Sequence, residues 1–470
     1  SGNITYIRST TPIDKFDYTY WSTPVSPQTL YNLSPNTSGD KFYSFNETID
    51  DWKQEDNSIT MVKGKGYTIR GPQDYVSPKP LSVFDGTFKG APNNGIITIG
   101  IGKAGNSNLL GNPYPSALDA SSFLTANSSL LEGTIYLWTH NTDIALNTPN
   151  PGSGTYAYSS DDYASYNLTG GVGTAKAISS TNSGAVNANI PTGKIASGQA
   201  FFTTSKAIGT ATFNNSMRVG ANGITGTNNQ FFKFSSNSKT TENKTIEKNR
   251  LWLDLYNDQG AFKQTLIGYI TDATDDYDDS FDGESFDGNE FVDFYSINED
   301  KILTIQGRAL PFKDTDIVPI GYTTVIDGDF IIGIDQVDGD FTNQVVYLED
   351  KLLDITHNLT ETPYSFTTEK GVFNARFEVK YTNKTLATDT FTPSETNYAV
   401  YKKGKQIKID SQTKLIQSVQ IFNISGKLIY SQKEINNSKF STIDLNVGSQ
   451  VVIVKTTLED KQIKTTKVIL

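Results

Sequence analysis

Apolar and polar positions alternate with period two along most of this chain, and the alternation is sharpest from about Asn397 onward. There Gln406-Ile407-Lys408-Ile409, Ser418-Val419-Gln420-Ile421-Phe422 and Gly426-Lys427-Leu428-Ile429-Tyr430 follow one another. Ser441–Leu445, Val451–Lys455 and Lys467-Val468-Ile469-Leu470 complete the series, with breaks at Gly404, Ser425-Gly426 and Glu459-Asp460. Successive strand residues point to opposite faces of a sheet, so this pattern predicts strands with one buried face. At this spacing residues 397–470 read as about seven short strands of a small antiparallel sandwich. The last strand runs to Leu470, so that end is expected to be built into a sheet rather than frayed.

Upstream, residues 1–235 alternate strand patterns with Gly, Pro and Asn turns. Phe16–Trp21, Lys41–Phe45, Met61–Arg70, Val83–Lys89, Ile96–Ile101, Gly133–Trp138, Gln199–Thr203, Gly209–Phe213 and Gln230–Phe234 are expected strands. Two short helices are expected, one opening at Ser116-Ala117-Leu118-Asp119 and one capped by Ser160-Asp161-Asp162. Residues 236–248 are polar and patternless, which predicts a linker. Residues 249–383 then repeat the strand-and-turn spacing, from Leu251–Tyr256 through Phe373–Tyr381, and Lys384–Thr396 reads as a second linker. The expected fold class is all-β: tandem antiparallel β-sandwiches, two larger jelly-roll or Ig-like modules at 1–235 and 249–383, plus the small seven-stranded sandwich.

Composition sharpens this picture. The 470 residues include 24 Tyr and 26 Phe but no Cys, and Gly, Ser, Thr and Asn are abundant. Zero cysteine excludes thiolate zinc sites and thiol catalysis. The chain carries −11 overall, whereas residues 397–470 hold twelve Lys against Asp410, Glu434, Asp444, Glu459 and Asp460, a net +7; residues 1–396 therefore carry −18. The acidic balance argues against nucleic-acid binding, which needs a basic footprint. No apolar run is long enough to be a transmembrane segment. Ser1-Gly2-Asn3 does not open a charged leader and apolar core, so an export signal is expected upstream or already removed.

Three features draw the basic end toward a known family: Asn423-Ile424-Ser425-Gly426-Lys427 after an apolar strand, Leu445 to Gly448 before Val451–Val454, and the closing Lys467-Val468-Ile469-Leu470. This end resembles the C-terminal sorting domain of proteins exported by the Bacteroidetes type IX secretion system. The resemblance implies export across the outer membrane to the cell surface, with the translocon and outer-membrane shuttle components as partners. It implies that Gly426, Lys427, Gly448, Lys467, Val468, Ile469 and Leu470 carry the recognition. Upstream, Tyr18–Val25, Gly111–Ala117, Tyr136–Asn141 and Ser159–Asn167 with Gly170-Gly171-Val172-Gly173 are similar to a module of large secreted flavobacterial surface proteins. That likeness implies an extracellular β-sandwich and brings no reaction with it.

Candidate chemistry is sparse. Asp272–Asp293 holds ten acids and no Lys or Arg. Asp278, Ser280, Asp282 and Gly283 fit the first half of a calcium loop, with Asp287 and Glu290 as further oxygens, although its twelfth position is Asn289. Bound Ca²⁺ and a solvated acidic loop both fit this stretch. Asp335, Asp338 and Asp340 around Gly339 read as a turn. His140 and His357 sit in separate modules, without a nucleophile elbow around either. Tyr20, Trp21, Trp52, Tyr114, Trp138 and Trp252 could stack on sugar rings or serve as core. The expected protein is non-enzymatic and adhesin-like. The alternative is a carbohydrate-binding module of a larger secreted enzyme, with surface polysaccharide as partner; exposed coplanar aromatics would favour it.

Overall fold

Alternating sequence becomes alternating burial in strands such as Asp85–Pro92, Gln406–Asp410 and Val451–Leu458 of the computed structural model, whereas central strands such as Leu131–Trp138 are buried on both faces. The structure describes residues 2–75, 82–140, 145–146, 156–157, 163–174, 190–219, 246–285, 291–382, 398–403, 405–411, 414–423, 427–445 and 450–469. The expected strand Gln230–Phe234, the Lys384–Thr396 linker and most of residues 236–248 lie outside them. Strands dominate, and the all-β class holds. The chain divides into two compact units, Ser1–Asn383 and Lys384–Leu470.

In the larger unit, residues 2–219 build several small sheets. A four-stranded sheet runs Tyr18–Trp21, Tyr67–Arg70, Phe42–Asn46, Asp51–Gln54, and a five-stranded one is centred on Leu131–Trp138 and Ala200–Ser205. Only the first expected helix forms. It spans Ala120–Ala126, with the Asp119 carboxylate accepting from Ser122 N, and it buries Phe123 and Leu124. The cap of the second expected helix lies outside the described residues. Tyr163–Tyr166, which follows it, is a strand paired with Ile135–Trp138, because its aromatics join a cross-strand aromatic cluster.

Residues 248–380 form one eleven-stranded sheet. From edge to edge it runs Ile355–Asn358, Tyr347–Asp350, Gly371–Lys380, Ile317–Thr324, Val292–Asn298, Lys301–Arg308, Phe262–Ile270, Lys248–Tyr256, Gly328–Asp338 and Tyr364–Thr368, with Gly283–Glu284 added on Lys301–Arg308. One pair departs from the expected antiparallel pattern: Phe262–Ile270 and Lys301–Arg308 are parallel, joined by a long crossover. Bulges between Trp252 and Leu253 and between Ile320 and Tyr322 bend the sheet. Its halves meet over one core, in which Leu251, Leu253, Phe330 and Ile332 pack with Ile320, Tyr322, Phe377 and Val379.

The expected boundary near residues 236–248 does not separate two compact modules; residues 1–383 form one. The joint is built from turns and from strand residues that approach them. Asn167 Nδ2 and Thr169 Oγ1 both donate to the Phe281 carbonyl, at 2.9 and 2.7 Å. Trp252 Nε1 donates to Gly171 O at 2.8 Å, within an apolar patch of Val172, Ile190, Trp252, Leu266 and Ile305. At Gly133 a Cβ would stand 2.0 Å from the Asp279 carbonyl oxygen, so only glycine lets the two backbones approach.

The smaller unit matches its expected design. Its seven strands form two antiparallel sheets. One runs Ala399–Lys403, Gln406–Asp410, Lys439–Ser441; the other runs Leu428–Asn437, Ile416–Asn423, Val451–Leu458, Ile463–Ile469. Ile407 and Ile409 of the first sheet pack on Val419, Ile421, Val452, Val454 and Val468 of the second.

Candidate functional site

Backbone register gathers the flagged residues of the smaller unit at one end of its four-stranded sheet. Asn423 pairs with Val452, Val452 with Val468, and Val451 with Ile469. Phe422 pairs with both Leu428 and Ile453, and Ile453 pairs with Lys467. The turn into Lys427 is closed reciprocally: Lys427 N donates to Asn423 Oδ1 at 2.8 Å, and Asn423 N donates to Lys427 O at 3.0 Å. Lys427, Lys467, Val468 and the backbone of Ile469, separated in sequence, therefore share one end of the sheet. Gly426, Gly448 and Leu470 lie outside the described residues.

Val468 points into the core, while Lys467 is exposed on the outer face beside it. The strand Ile463–Ile469 is a sheet edge, paired on one side only within this unit. Acids do little to neutralise this unit. Its described ion pairs are Lys414–Asp460 at 2.9 Å and Lys439–Asp410 at 3.0 Å, and neither engages Lys427, Lys455 or Lys467. The arrangement offers a pairing-competent edge beside positive charge. It holds no nucleophile paired with a base.

The acidic loop is organised by its own backbone. Asp282 is buried; its Oδ2 accepts from Asp278 N and its Oδ1 from Gly307 N, both at 2.8 Å. Asp278 Oδ1 accepts from Phe281 N at 3.2 Å, and its Oδ2 from Thr274 N and Oγ1 at 3.3 Å. Asp279 reaches away to Lys206, 2.7 Å distant. Burial, against the pull of the two backbone donors, raises the Asp282 carboxyl to about 7. Asp278 is raised as well, again chiefly by desolvation. Ser280 contributes its backbone carbonyl, which accepts from Leu168 N at 3.2 Å. Asp287 and Glu290 lie outside the described residues. Among the described residues no group of three or more His, Asp or Glu is arranged to hold a metal. With these oxygens already engaged, chelator and added calcium are expected to leave the melting temperature of residues 1–383 unchanged; a rise with calcium in differential scanning calorimetry would place the ion back in this loop.

Around Gly339 the turn reading is met in part: Gly339 has a positive φ of 60° and opens the short turn Gly339–Thr342, which holds Asp340, whereas Asp335 and Asp338 lie on the strand Gly328–Asp338, with Asp338 paired to Arg250. Each histidine has a local role. His140 is half-buried, with Nε2 2.9 Å from Tyr18 O and Nδ1 2.9 Å from Thr11 Oγ1. Nε2 therefore carries the proton and Nδ1 accepts, and burial lowers this imidazole to about 4. His357 sits beside Thr362, whose carbonyl lies 2.8 Å from its Nε2. Of the six candidate stacking aromatics, Tyr20, Trp21, Tyr114, Trp138 and Trp252 are buried, and Trp52 alone is exposed, at 39%. Trp52 leans edge-on against Phe45 and Phe202. These six do not form a flat sugar platform.

Sequence reasoning missed the buried pair Arg376–Asp350, 2.9 Å apart. The signal is weak: Asp350 falls on the face that Leu348 buries and Arg376 precedes buried Phe377, but Glu349, Glu378 and Lys380 on the same strands mask the pair.

Fold and site together define a two-unit all-β protein with a basic sandwich as the smaller part. The chain belongs to the family described as a domain of unknown function, DUF8693, whose model matches residues 1–381. Residues 386–470 match a second domain of unknown function, DUF8694. The two matches divide the chain where the compact units do. No curated protein matches it.

Proposed function

We propose that the smaller unit is an export address of the type IX kind and that residues 1–383 are its non-enzymatic, adhesin-like extracellular cargo. The observation that carries this reading is the convergence of Lys427, Lys467, Val468 and Ile469 at one end of a self-contained sandwich. Those of the resemblance-bearing residues that the structure describes thus lie within reach of a single partner. Charge supports it: residues 397–470 carry +7 and residues 1–396 carry −18, which gives a translocon component a surface the cargo does not share. Burial of five of the six candidate stacking aromatics favours the adhesin reading over a carbohydrate-binding module.

The test is transfer. Residues 397–470 fused to an unrelated periplasm-targeted protein are expected to bring it to the surface of a type IX-competent cell. Removing Thr466–Leu470 is expected to leave the fusion in the periplasm, because it deletes the Val452–Val468 pair and bares Val451–Val454 as an edge. Surface immunodetection reads both forms. Equal surface signal from the truncated form would show that this strand is not the address.

A further inference from the structure

The outer face of the four-stranded sheet in the smaller unit has the chemistry of a lipid contact. Register defines its rows. One row is Leu428, Phe422, Ile453 and Lys467; the next is Ser431, Gln420, Lys455 and Thr465; the third is Lys433, Ser418, Thr457 and Ile463. Strands lie ~4.8 Å apart, so each row is a continuous strip of side chains on one surface. The outer face of a small sandwich is ordinarily its polar side. Here Leu428 is 48% exposed and Val451 38%, with Phe422 and Ile453 half-buried beside them at one end of the face, and Ile463, 52% exposed, stands at the other end beyond the polar second row. An apolar surface of this kind, held against water by the fold, marks a binding face.

Charge selects the occupant. Lys433, Lys455 and Lys467 stand on the same face, and no acid does: its other members are Ser, Thr, Gln and apolar residues. Among the described residues none of the three lysines has an acidic partner within ion-pair distance. Apolar side chains interleaved with unneutralised lysines fit a surface that is anionic at its headgroups and apolar just below. A second copy of this face would set lysine against lysine.

We infer that this face binds anionic lipid surfaces, with Lys433, Lys455 and Lys467 on the headgroups and Leu428, Val451 and Ile463 entering the interface. The inference does not rest on the export reading, and its test uses lysines outside the proposed address. The full chain is floated with vesicles of a zwitterionic phospholipid, alone or with anionic phospholipid added, at low and high salt. Binding is expected only to the anionic vesicles and is lost at high salt. The double substitution Lys433→Gln/Lys455→Gln is expected to weaken it about twenty-five-fold, at about fivefold per lysine. Leu428→Ser is expected to weaken it further while the melting temperature stays unchanged. Equal binding to both vesicles, binding indifferent to the two lysines, or no vesicle binding would each overturn the inference. So would lysine-dependent binding to a soluble polyanion with none to vesicles.

Discussion

Replacing Arg376 by methionine is expected to remove on the order of 3–5 kcal/mol from the stability of residues 1–383. Arg376 and Asp350 are both buried, and the guanidinium donates to Asp350 from Nε and Nη2. Tyr364 donates its hydroxyl to the same carboxylate at 3.0 Å. The guanidinium also lies over the rings of Phe366 and Phe377, 4.6 and 4.9 Å from their centroids. Methionine fills much of the volume but leaves the Asp350 charge without its counter-ion in the core. The partner substitution discriminates between mechanisms. Arg376→Met combined with Asp350→Leu is expected to recover most of the loss, because two apolar side chains leave no buried charge. Denaturant unfolding followed by tryptophan fluorescence reads both. A double variant as unstable as the single one would show that packing, not charge, dominates there.

The second expected result is a stability profile flattened by two groups of opposite sign. His140 is lowered to about 4 from an ordinary 6.5, by burial and then by the nearby Arg8 charge against the Tyr18 hydrogen bond. The unfolded chain takes that proton below 6.5 while the native state refuses it, so stability is lost as pH falls from 6.5 to 4, by roughly 3 kcal/mol. Asp282 is raised from 3.8 to about 7 by burial, with neighbouring Asp278 adding to it and Arg308 opposing it. Here the native state keeps a proton that the unfolded chain releases, so stability is present below 3.8 and lost as pH rises to 7, by roughly 4 kcal/mol. Across the shared window the two contributions nearly cancel. His140→Gln is therefore expected to gain stability, relative to the parent, as pH falls from 6.5 to 4, and Asp282→Asn to lose it over the same range. Difference profiles from unfolding at several pH values check this; variants that track the parent in parallel would remove both groups from the account.

Strand content was legible wherever one face of a strand meets a core. The sequence alternation over Gly209–Phe213 and Gln406–Asp410 predicts strands that the structure contains. The smaller sandwich was readable almost strand by strand for that reason. Asp51–Gln54 was not, because all four of its residues are exposed and it is held by backbone pairing to Phe42–Asn46. The union of residues 1–383 was illegible for a different reason. It depends on single backbone groups, such as the Phe281 carbonyl in a turn and Gly133 within a strand, which leave no mark in the hydrophobic period. The candidate site was legible in composition: the flagged lysines and apolar residues fall on shared strands, but only the register shows that they meet at one end.

The placement of the first and last strands of the larger unit has a mechanical consequence. Ile4–Ser9 is a sheet edge, held by one ladder to Asp85–Pro92. Gly371–Lys380 lies inside its sheet, bonded to Ile317–Thr324 on one side and Tyr347–Asp350 on the other. Tension entering along the chain meets a single row of hydrogen bonds at one end and two rows at the other. Under load Ile4–Ser9 is expected to detach before Gly371–Lys380 does.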